Sequence, residues 1–285
     1  MADNYKTPEV VSLPLKVAIL TTQTPHHVYF MRDLNSQCAD FIDLGLVLIE
    51  TKPFPFKKFF FRHIVRNWYN PLQWLFLNPY LNIPYKSKEQ RDFELRQFFG
   101  ESDLDYGSDD DIQKIEVGSV NEKYAREQLI EYGPDLILIY GTGLVSPEVF
   151  NIASITAINC HGGWLPDYRG SDTNLWAVIR GDFDKLGLAW HKVDATFDTG
   201  PIFMMERVPQ RADLDYVSLR YYTTLLATDM CVRLLKKIAR GNVKAQVQRE
   251  NSKDRNLFRF MPYVLKWIAA YKLKRYFGGR SMIWS

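Results

Sequence analysis

Runs of apolar residues recur along this chain and are separated by longer stretches in which polar and apolar positions mix. The runs Leu15–Leu20, Leu44–Glu50 and Leu136–Tyr140 predict buried strands, and the β-branched run Ser154–Ile158 predicts another that continues into Asn159. Strands that are apolar at successive positions are typical of parallel sheets that are covered on both faces.

Much of the sequence between these strands has the spacing of apolar residues that is typical of helices. We expect helices over His26–Cys38, Glu122–Tyr132 and Leu219–Arg240, the last amphipathic and closed by Gly241. A further strand is predicted over Leu188–Val193. Strands that alternate with helices indicate an α/β protein with a doubly wound, mostly parallel sheet.

Two aromatic and basic segments interrupt that alternation. Lys52–Tyr85 and Leu257–Ser285 are rich in Phe, Trp and Tyr, contain lysine and arginine, and lack acidic residues. A short acidic loop, Asp103–Asp111, follows the first segment. The two segments could cover the core, bind a membrane surface or form a homodimer interface. We expect helices that pack on the body or on a second subunit, because exposed aromatics would leave an unusually large apolar patch.

Composition adds few constraints. The net charge of +3 over 285 residues is too small to imply a nucleic-acid partner. The 3 cysteines are scattered without metal-ligand spacing, which is typical of a reducing compartment. The N-terminal residues lack the form of a signal peptide, and no apolar run of about 18 residues occurs, so we expect a cytoplasmic protein.

The strand that includes Asn159 carries the most informative polar side chains. Residues i and i+2 of a strand face the same side, so Asn159 and His161 should project together while Cys160 turns into packing. Amide and imidazolium donors could stabilise an oxyanion on an attacked carbonyl, and a later carboxylate, Asp198, would favour the imidazolium. Taken alone, His161 could be a core histidine and Asp198 a turn residue.

Several motifs follow one another between about Pro134 and Ile202. They are Asn159-x-His161, Leu165-Pro-x-Tyr-Arg-Gly170, Trp176-Ala177, Gly181, His191 and Asp198-Thr-Gly-Pro201. Their order resembles that of the folate-dependent formyltransferases, a family that includes glycinamide ribonucleotide, methionyl-tRNA and sugar N-formyltransferases. Gly163 is one departure, because the family usually has serine there.

The resemblance implies a Rossmann-like formyltransferase fold and a 10-formyltetrahydrofolate donor. It makes Asn159, His161 and Asp198 the catalytic residues. It also implies a folate site in the cleft between the Leu144 loop and the Asp194–Asp198 loop, where open parallel sheets bind ligands. An ordinary turn at Leu144, or a structural role for His191, stays open. The implied folate-binding residues are Leu144, Val145, His191, Asp194 and Thr196.

Candidates for contact with the acceptor lie in two loops. Thr22, His26 and His27 surround the start of the first helix, where the purine-pathway relatives hold a phosphate, although capping or packing would also explain them. Arg169 and Gly170 lie in a loop that lines the cleft in the family, although Arg169 could be an ordinary surface residue. We propose no metal, because adjacent histidines on a helix diverge.

We therefore predict a formyltransferase catalytic domain at residues 14–243, with an insertion at about 52–111, and a helical C-terminal extension at 244–285. The tail looks too short for the β-rich domain of methionyl-tRNA enzymes. The expected acceptor is a small amine, such as a nucleotide-linked amino sugar. The alternatives are a glycinamide ribonucleotide-type or other small amine, or a non-catalytic or membrane-surface binding protein on the same fold.

Overall fold

A seven-stranded sheet forms the centre of the protein in the computed structural model, which describes residues 12–51, 87–100, 112–248 and 256–278. The strands of this sheet and of a separate two-stranded pair are β1 Leu15–Thr21, β2 Ile42–Glu50, β3 Gln113–Val117, β4 Leu136–Tyr140, β5 Thr156–His161, β6 Arg169–Gly170, β7 Gly187–Lys192, β8 Ile202–Arg207 and β9 Leu257–Phe258. The helices are α1 Pro25–Cys38, α2 Ser87–Phe99, α3 Lys123–Tyr132, α4 Pro147–Phe150, α5 Thr173–Arg180, α6 Ser218–Ala239 and α7 Tyr263–Gly278, with a 3-10 turn at Phe183–Lys185.

The sheet is parallel over most of its width and antiparallel at one side. Its strand order is β3-β2-β1-β4-β5-β7-β8. The pairs from β3 to β5 are parallel, whereas β7 runs antiparallel to both β5 and β8. β6 and β9 form a separate parallel pair. This architecture confirms the predicted α/β class and the mostly parallel sheet.

Helices cover both faces of the sheet because its central strands are apolar at successive positions. In β1, Leu15 and Ile19 face a core that contains residues of α1 and α6. Ala18 and Leu20, on the opposite face of the same strand, contact a core that contains residues of α3 and α4. Alternate side chains of a strand point to opposite faces, so one continuous apolar run supplies both cores.

The predicted strands, and the predicted helices over His26–Cys38, Glu122–Tyr132 and Leu219–Arg240, agree with the structure to within one or two residues. The helix expected in Leu257–Ser285 begins only at Tyr263, because Leu257–Phe258 is the strand β9. The sequence analysis did not predict α2, α4, α5, β3, β6, β8 or β9. Each of these is short or rich in charged residues, so neither a long apolar run nor a clear periodicity marks it. The segments Lys52–Tyr85 and Asp103–Asp111 lie outside the described residues, and the predicted domain boundaries stay predictions.

The C-terminal helix α7 packs against α5, as expected for an extension that covers the body. Ala269, Leu273 and Phe277 are buried in a third core together with Val178 of α5. The ring of Tyr276 stacks on Phe183 with centroids 3.8 Å apart. None of the helices in the described ranges is both long and apolar enough to cross a membrane.

Candidate active site

A cleft of about 670 Å³ opens where β4 and β5 end. This volume lies within the range of pockets that hold small molecules. Residues of the loops after β4 and β7 both line the cleft, as the sequence analysis expected. The predicted site residues that line the cleft are Leu144, Val145, Asn159, His161, Gly170, His191, Asp194, Thr196 and Asp198.

Strand β5 contributes Asn159, Cys160 and His161 to the lining of the cleft, and Cys160 also packs against the apolar core. The side chains of Asn159 and His161 both contact Asp198, so they project to the same side of the strand, as predicted. The antiparallel pairing of β5 with β7 places His191 directly opposite Asn159, and Asn159 Nδ2 lies 3.0 Å from His191 Nε2. Because His191 Nδ1 lies 2.8 Å from the carbonyl oxygen of Lys192, it carries the proton, and Nε2 accepts from the Asn159 amide.

The carboxylate of Asp198 lies at the centre of this cluster. Its Oδ2 is 3.3 Å from His161 Nδ1, and its Oδ1 is 3.4 Å from His191 Nε2. The backbone N–H of Gly170 donates to Oδ2 at 2.8 Å. Asp198 has a φ of 54°, a left-handed conformation that is uncommon outside glycine. The side chain of Gln248 stabilises this turn by donating to the carbonyl oxygens of Asp198 and Gly200 at 3.0 and 2.7 Å.

Asp198 is held as a carboxylate. Burial by itself would raise its pKa, but the positive charge that His161 can carry and the Gly170 N–H lower the pKa below its ordinary value. Hydrogen bonds and positive charge favour the ionised form of an acid, which explains the direction. A fixed negative charge therefore lies beside His161 throughout the neutral pH range.

The imidazole of His161 faces an oxygen acceptor at each ring nitrogen. Its Nε2 lies 2.7 Å from the carbonyl oxygen of Tyr168, and its Nδ1 faces Asp198. The sequence analysis expected the carboxylate to favour the imidazolium. In the structure, burial outweighs the attraction of Asp198 and lowers the pKa of His161 below its ordinary value. The resting ring is therefore neutral, and it is placed to take up a proton because both N–H groups would then have acceptors.

Gly163 is required by the packing of the turn after β5. Its N–H donates to the carbonyl oxygen of His161 at 3.0 Å. A β-carbon at this position would lie 2.7 Å from His161 Nε2, 2.7 Å from Thr173 Oγ1 and 2.8 Å from the carbonyl oxygen of Tyr168. Serine, which is usual in the family, would not fit without a shift of these neighbours. The departure at Gly163 thus belongs to a tighter turn around the histidine.

Three of the predicted acceptor residues lie away from the cleft. Thr22 and His27 line a separate cavity of about 50 Å³, and Thr22 Oγ1 lies 2.8 Å from His27 Nδ1. His26 Nδ1 is 3.4 Å from the fully buried carboxylate of Glu94, which also pairs with Arg220. Burial lowers the pKa of both histidines. These contacts favour the packing interpretation, and contact with an acceptor stays a prediction.

Arg169 is also buried, and it is absent from the lining of the cleft. Its neighbour Gly170 does line the cleft, with a φ of 94°. A β-carbon at Gly170 would overlap the carbonyl oxygen of Phe258, so glycine is needed for the pairing of β6 with β9. The assignment of Arg169 to the acceptor stays a prediction that the free protein does not favour.

Sequence reasoning missed one wall of the cleft, which comes from the C-terminal segment. Pairing of β9 with β6 brings Leu257, Phe258, Arg259 and Phe260 to the mouth. Trp176 Nε1 donates to the carbonyl oxygen of Arg259 at 2.9 Å and fixes this wall. A two-residue strand has no periodicity, so no local signal could have found it. In the described parts of the chain, no group of three or more His, Cys, Asp or Glu residues could hold a metal ion.

A family model described as "Formyl transferase" matches residues 105–233. Methionyl-tRNA formyltransferase of Desulfotalea psychrophila is 32% identical over 123 residues, which cover 43% of this chain and 38% of that protein. The matched part of the chain, residues 105–233, is therefore similar to the formyltransferase family. The Kosmotoga olearia methionyl-tRNA formyltransferase is 31% identical over 131 residues, covering 46% of this chain and 42% of that protein. The chain thus spans less than half the length of these two formyltransferases.

Solved formyltransferases share the fold. A sugar N-formyltransferase from a Shewanella species superposes with a TM-score of 0.52 at 14% identity, covering 91% of this chain and 87% of that one. Glycinamide ribonucleotide transformylase 1 from Symbiobacterium toebii gives a TM-score of 0.50 at 16% identity, covering 87% of this chain and 93% of that one. Likeness at these identities shows the fold and leaves the substrate to be argued from the site.

We expect His161 to titrate below its ordinary pKa of about 6.5 and to do so at still lower pH in Asp198→Asn. Removal of the carboxylate removes an attraction that raises the pKa, whereas burial remains. The measurement is a ¹⁵N NMR titration of the imidazoles, with His161→Gln to assign the signal. Asp194→Asn, in the same cleft loop, is the matched control and should leave the curve unchanged. A higher pKa in Asp198→Asn would contradict this electrostatic account.

We expect Gly163→Ser to lower the free energy of unfolding by about 1–3 kcal/mol, because the added atoms would overpack the turn. Gly162→Ser is the control, since a β-carbon there would meet nothing nearer than Asn174 Nδ2 at 3.9 Å. The control should change stability by less than about 0.5 kcal/mol. Denaturant unfolding of both variants checks the difference, and equal costs at the two glycines would show that the turn around Gly163 is not crowded.

Proposed function

We propose that this protein transfers a formyl group from 10-formyltetrahydrofolate to the amine of a small acceptor. The observation that carries this proposal is the cluster of Asn159, His161 and Asp198 at the cleft, joined by contacts of 3.3 and 3.4 Å. An amide donor, a neutral imidazole and a fixed carboxylate suit acyl transfer by direct attack of an amine. The match of residues 105–233 to a formyl transferase family model supports the same chemistry.

The cleft suits a flat, partly apolar donor with a charged end. Leu144, Phe197 and Phe260 all line the cleft and are exposed. Apolar and aromatic side chains of this kind can sandwich a ring, while the backbone around Val145 can bond its polar edge. Arg259 is exposed at the mouth of this cleft, where a guanidinium would suit the carboxylates of a folate tail. When bound, the folate would supply the formyl group.

His161 would accept the proton that the attacking amine loses as its nitrogen bonds to the formyl carbon. The imidazolium then donates to Tyr168 and Asp198, so the site compensates the new charge without rearrangement. Return of this proton to the departing nitrogen completes the exchange as the old carbon–nitrogen bond breaks. His161 therefore ends the reaction in the neutral form in which it began.

Asn159 would stabilise the negative charge that develops on the formyl oxygen. One hydrogen of its amide is held by His191 at 3.0 Å, whereas the other faces Asp198 Oδ1 at 3.4 Å. The second contact is long and weak, so this hydrogen can turn to the oxygen of the substrate. Removal of one such donor typically costs about 3–4 kcal/mol of barrier.

For the acceptor we propose a nucleotide-linked amino sugar. A sugar N-formyltransferase shares the fold over most of both chains, which makes this class the first acceptor to test. The sequence relatives are methionyl-tRNA formyltransferases, which makes methionyl-tRNA the comparison acceptor in any assay. Glycinamide ribonucleotide is the third member of the panel, because a transformylase shares the fold. Consumption of 10-formyltetrahydrofolate with each amine distinguishes the three.

With the accepted amine, Asn159→Ala, His161→Ala and Asp198→Ala should each lower kcat/KM by about a hundredfold or more. Double variants should lose little beyond the single ones, since the three residues act on one transition state. Asn151→Ala and Asp229→Asn are controls at exposed positions and should retain turnover. Near-normal turnover in His161→Ala, measured with that acceptor, would show that His161 is not a catalytic residue.

The cleft should bind 5-formyltetrahydrofolate, and Phe197→Ala should raise the Kd about tenfold by removing an aromatic wall. Isothermal titration calorimetry checks the affinity. Tyr124→Ala is the matched control, because Tyr124 is equally exposed, at 50%, on helix α3. Absence of heat at millimolar ligand, or equal effects of the two variants, would place any folate site elsewhere.

A further inference from the structure

Exposed large hydrophobic residues are concentrated around the start of α7. Among the described residues, five of the eleven large hydrophobic residues that are exposed lie between Leu257 and Tyr271. We define the aromatic ridge as the four of these that are aromatic. Its members are Phe260 at 53% exposure, Tyr263 at 37%, Trp267 at 59% and Tyr271 at 61%.

The ridge is one continuous surface on a firmly packed helix. At about 100° per residue, Tyr263, Trp267, Tyr271 and Lys274 fall within about 80° of the helix circumference. The opposite face is fixed by the buried side chains of the third core, including Leu273. Helix packing therefore explains the inner face of α7 and leaves the aromatic face turned outward.

Charge distinguishes the ridge from an ordinary apolar patch. Helix α7 contains four basic residues and no acidic one. Two of them point into the protein, where Lys266 pairs with Asp172 at 3.2 Å and Lys272 donates to the carbonyl oxygen of Ile179. Lys274 and Arg275 are exposed at the end of the ridge. The outward face thus combines tyrosine and tryptophan with net positive charge.

The ridge begins at the mouth of the catalytic cleft. Phe260 belongs to both surfaces, and Leu257, which is 43% exposed, also lines the cleft. Leu144 and Phe197 extend the exposed apolar surface across the opening. Any partner seated on the ridge would therefore also lie beside the entrance used by the substrates.

We propose that the aromatic ridge docks the protein on an anionic lipid surface, with the cleft opening beside that surface. Tyrosine and tryptophan suit the boundary between headgroups and acyl chains, and neighbouring lysine and arginine are attracted to anionic headgroups. The sequence of 52–85 is basic without acidic residues, and so is α7, so repulsion opposes burial of the ridge under that segment. Pairing of two ridges in a dimer would meet the same repulsion.

The test is co-sedimentation of the full chain with vesicles of phosphatidylcholine alone or with phosphatidylglycerol added. We expect binding only to the anionic vesicles and its loss at high salt. Trp267→Ala/Tyr271→Ala and Lys274→Glu/Arg275→Glu should each weaken binding about tenfold or more, since each basic residue near the surface contributes roughly fivefold. Circular dichroism verifies that each variant is folded.

Two controls are matched to these changes. Tyr124→Ala removes an aromatic ring that is 50% exposed elsewhere. Lys236→Glu/Lys237→Glu reverses the same charge in the last turn of α6. Both should bind as the unchanged protein does.

Three results would overturn the proposal, which does not depend on formyl transfer. The first is no binding to anionic vesicles. The second is binding that the ridge variants leave unchanged, which would place the contact elsewhere, including in 52–86. The third is a dimer in light scattering that Trp267→Ala/Tyr271→Ala converts to a monomer, which would make the ridge an interface between copies.

Discussion

The carboxylate of Asp198 joins parts of the chain that are far apart in sequence. It contacts His161 at the end of β5, His191 on β7 and the backbone N–H of Gly170 in β6. The contacts with His161 and with the Gly170 N–H favour the ionised form, and they overcome the cost of burying a charge. A carboxylate of this kind fixes its neighbours in position, so the geometry of the cleft depends on a turn in which Asp198 adopts positive φ.

The mixed sheet explains how these residues meet. The parallel strands β4 and β5 end together and direct the Leu144 loop and His161 toward one edge. The reversed strand β7 then sets His191 opposite Asn159, which a parallel neighbour in the same register would not do. The short pair β6 and β9 adds the final wall from the C-terminal segment. The site therefore depends on the whole fold rather than on one loop.

Much of this arrangement could be predicted from local pattern. The apolar runs gave β1, β2, β4 and β5, and the alternation of side chains in β5 correctly placed Asn159 and His161 on one side. The protonation of His161 could not be predicted, because its pKa depends on burial by residues that are remote in sequence. The wall at Leu257–Phe260 was missed for a similar reason, since only the tertiary pairing with β6 brings it to the cleft.

The acceptor-side candidates are less well supported by the structure and stay predictions. The sequence placed Thr22, His26 and His27 beside a helix start, which is a common location for anion binding. The structure buries His26 against Glu94, a residue of a helix that the sequence analysis did not predict. A charged partner in an unpredicted element thus converted an apparent ligand site into packing. By contrast, Asn159 and His161, which were predicted on a strand, and Asp198, which was predicted in a turn, do line the cleft.

The most direct test of the central claim is a crystal structure with an unreactive 10-formyl folate analogue. The account predicts the formyl oxygen within hydrogen-bond distance, about 2.7–3.2 Å, of Asn159 Nδ2, and an open path from the formyl carbon to His161. The pterin ring should lie between the loops that carry Leu144 and Phe197. An analogue bound with its formyl group away from Asn159 and His161, in a protein whose Asp198 contacts are intact, would contradict the account.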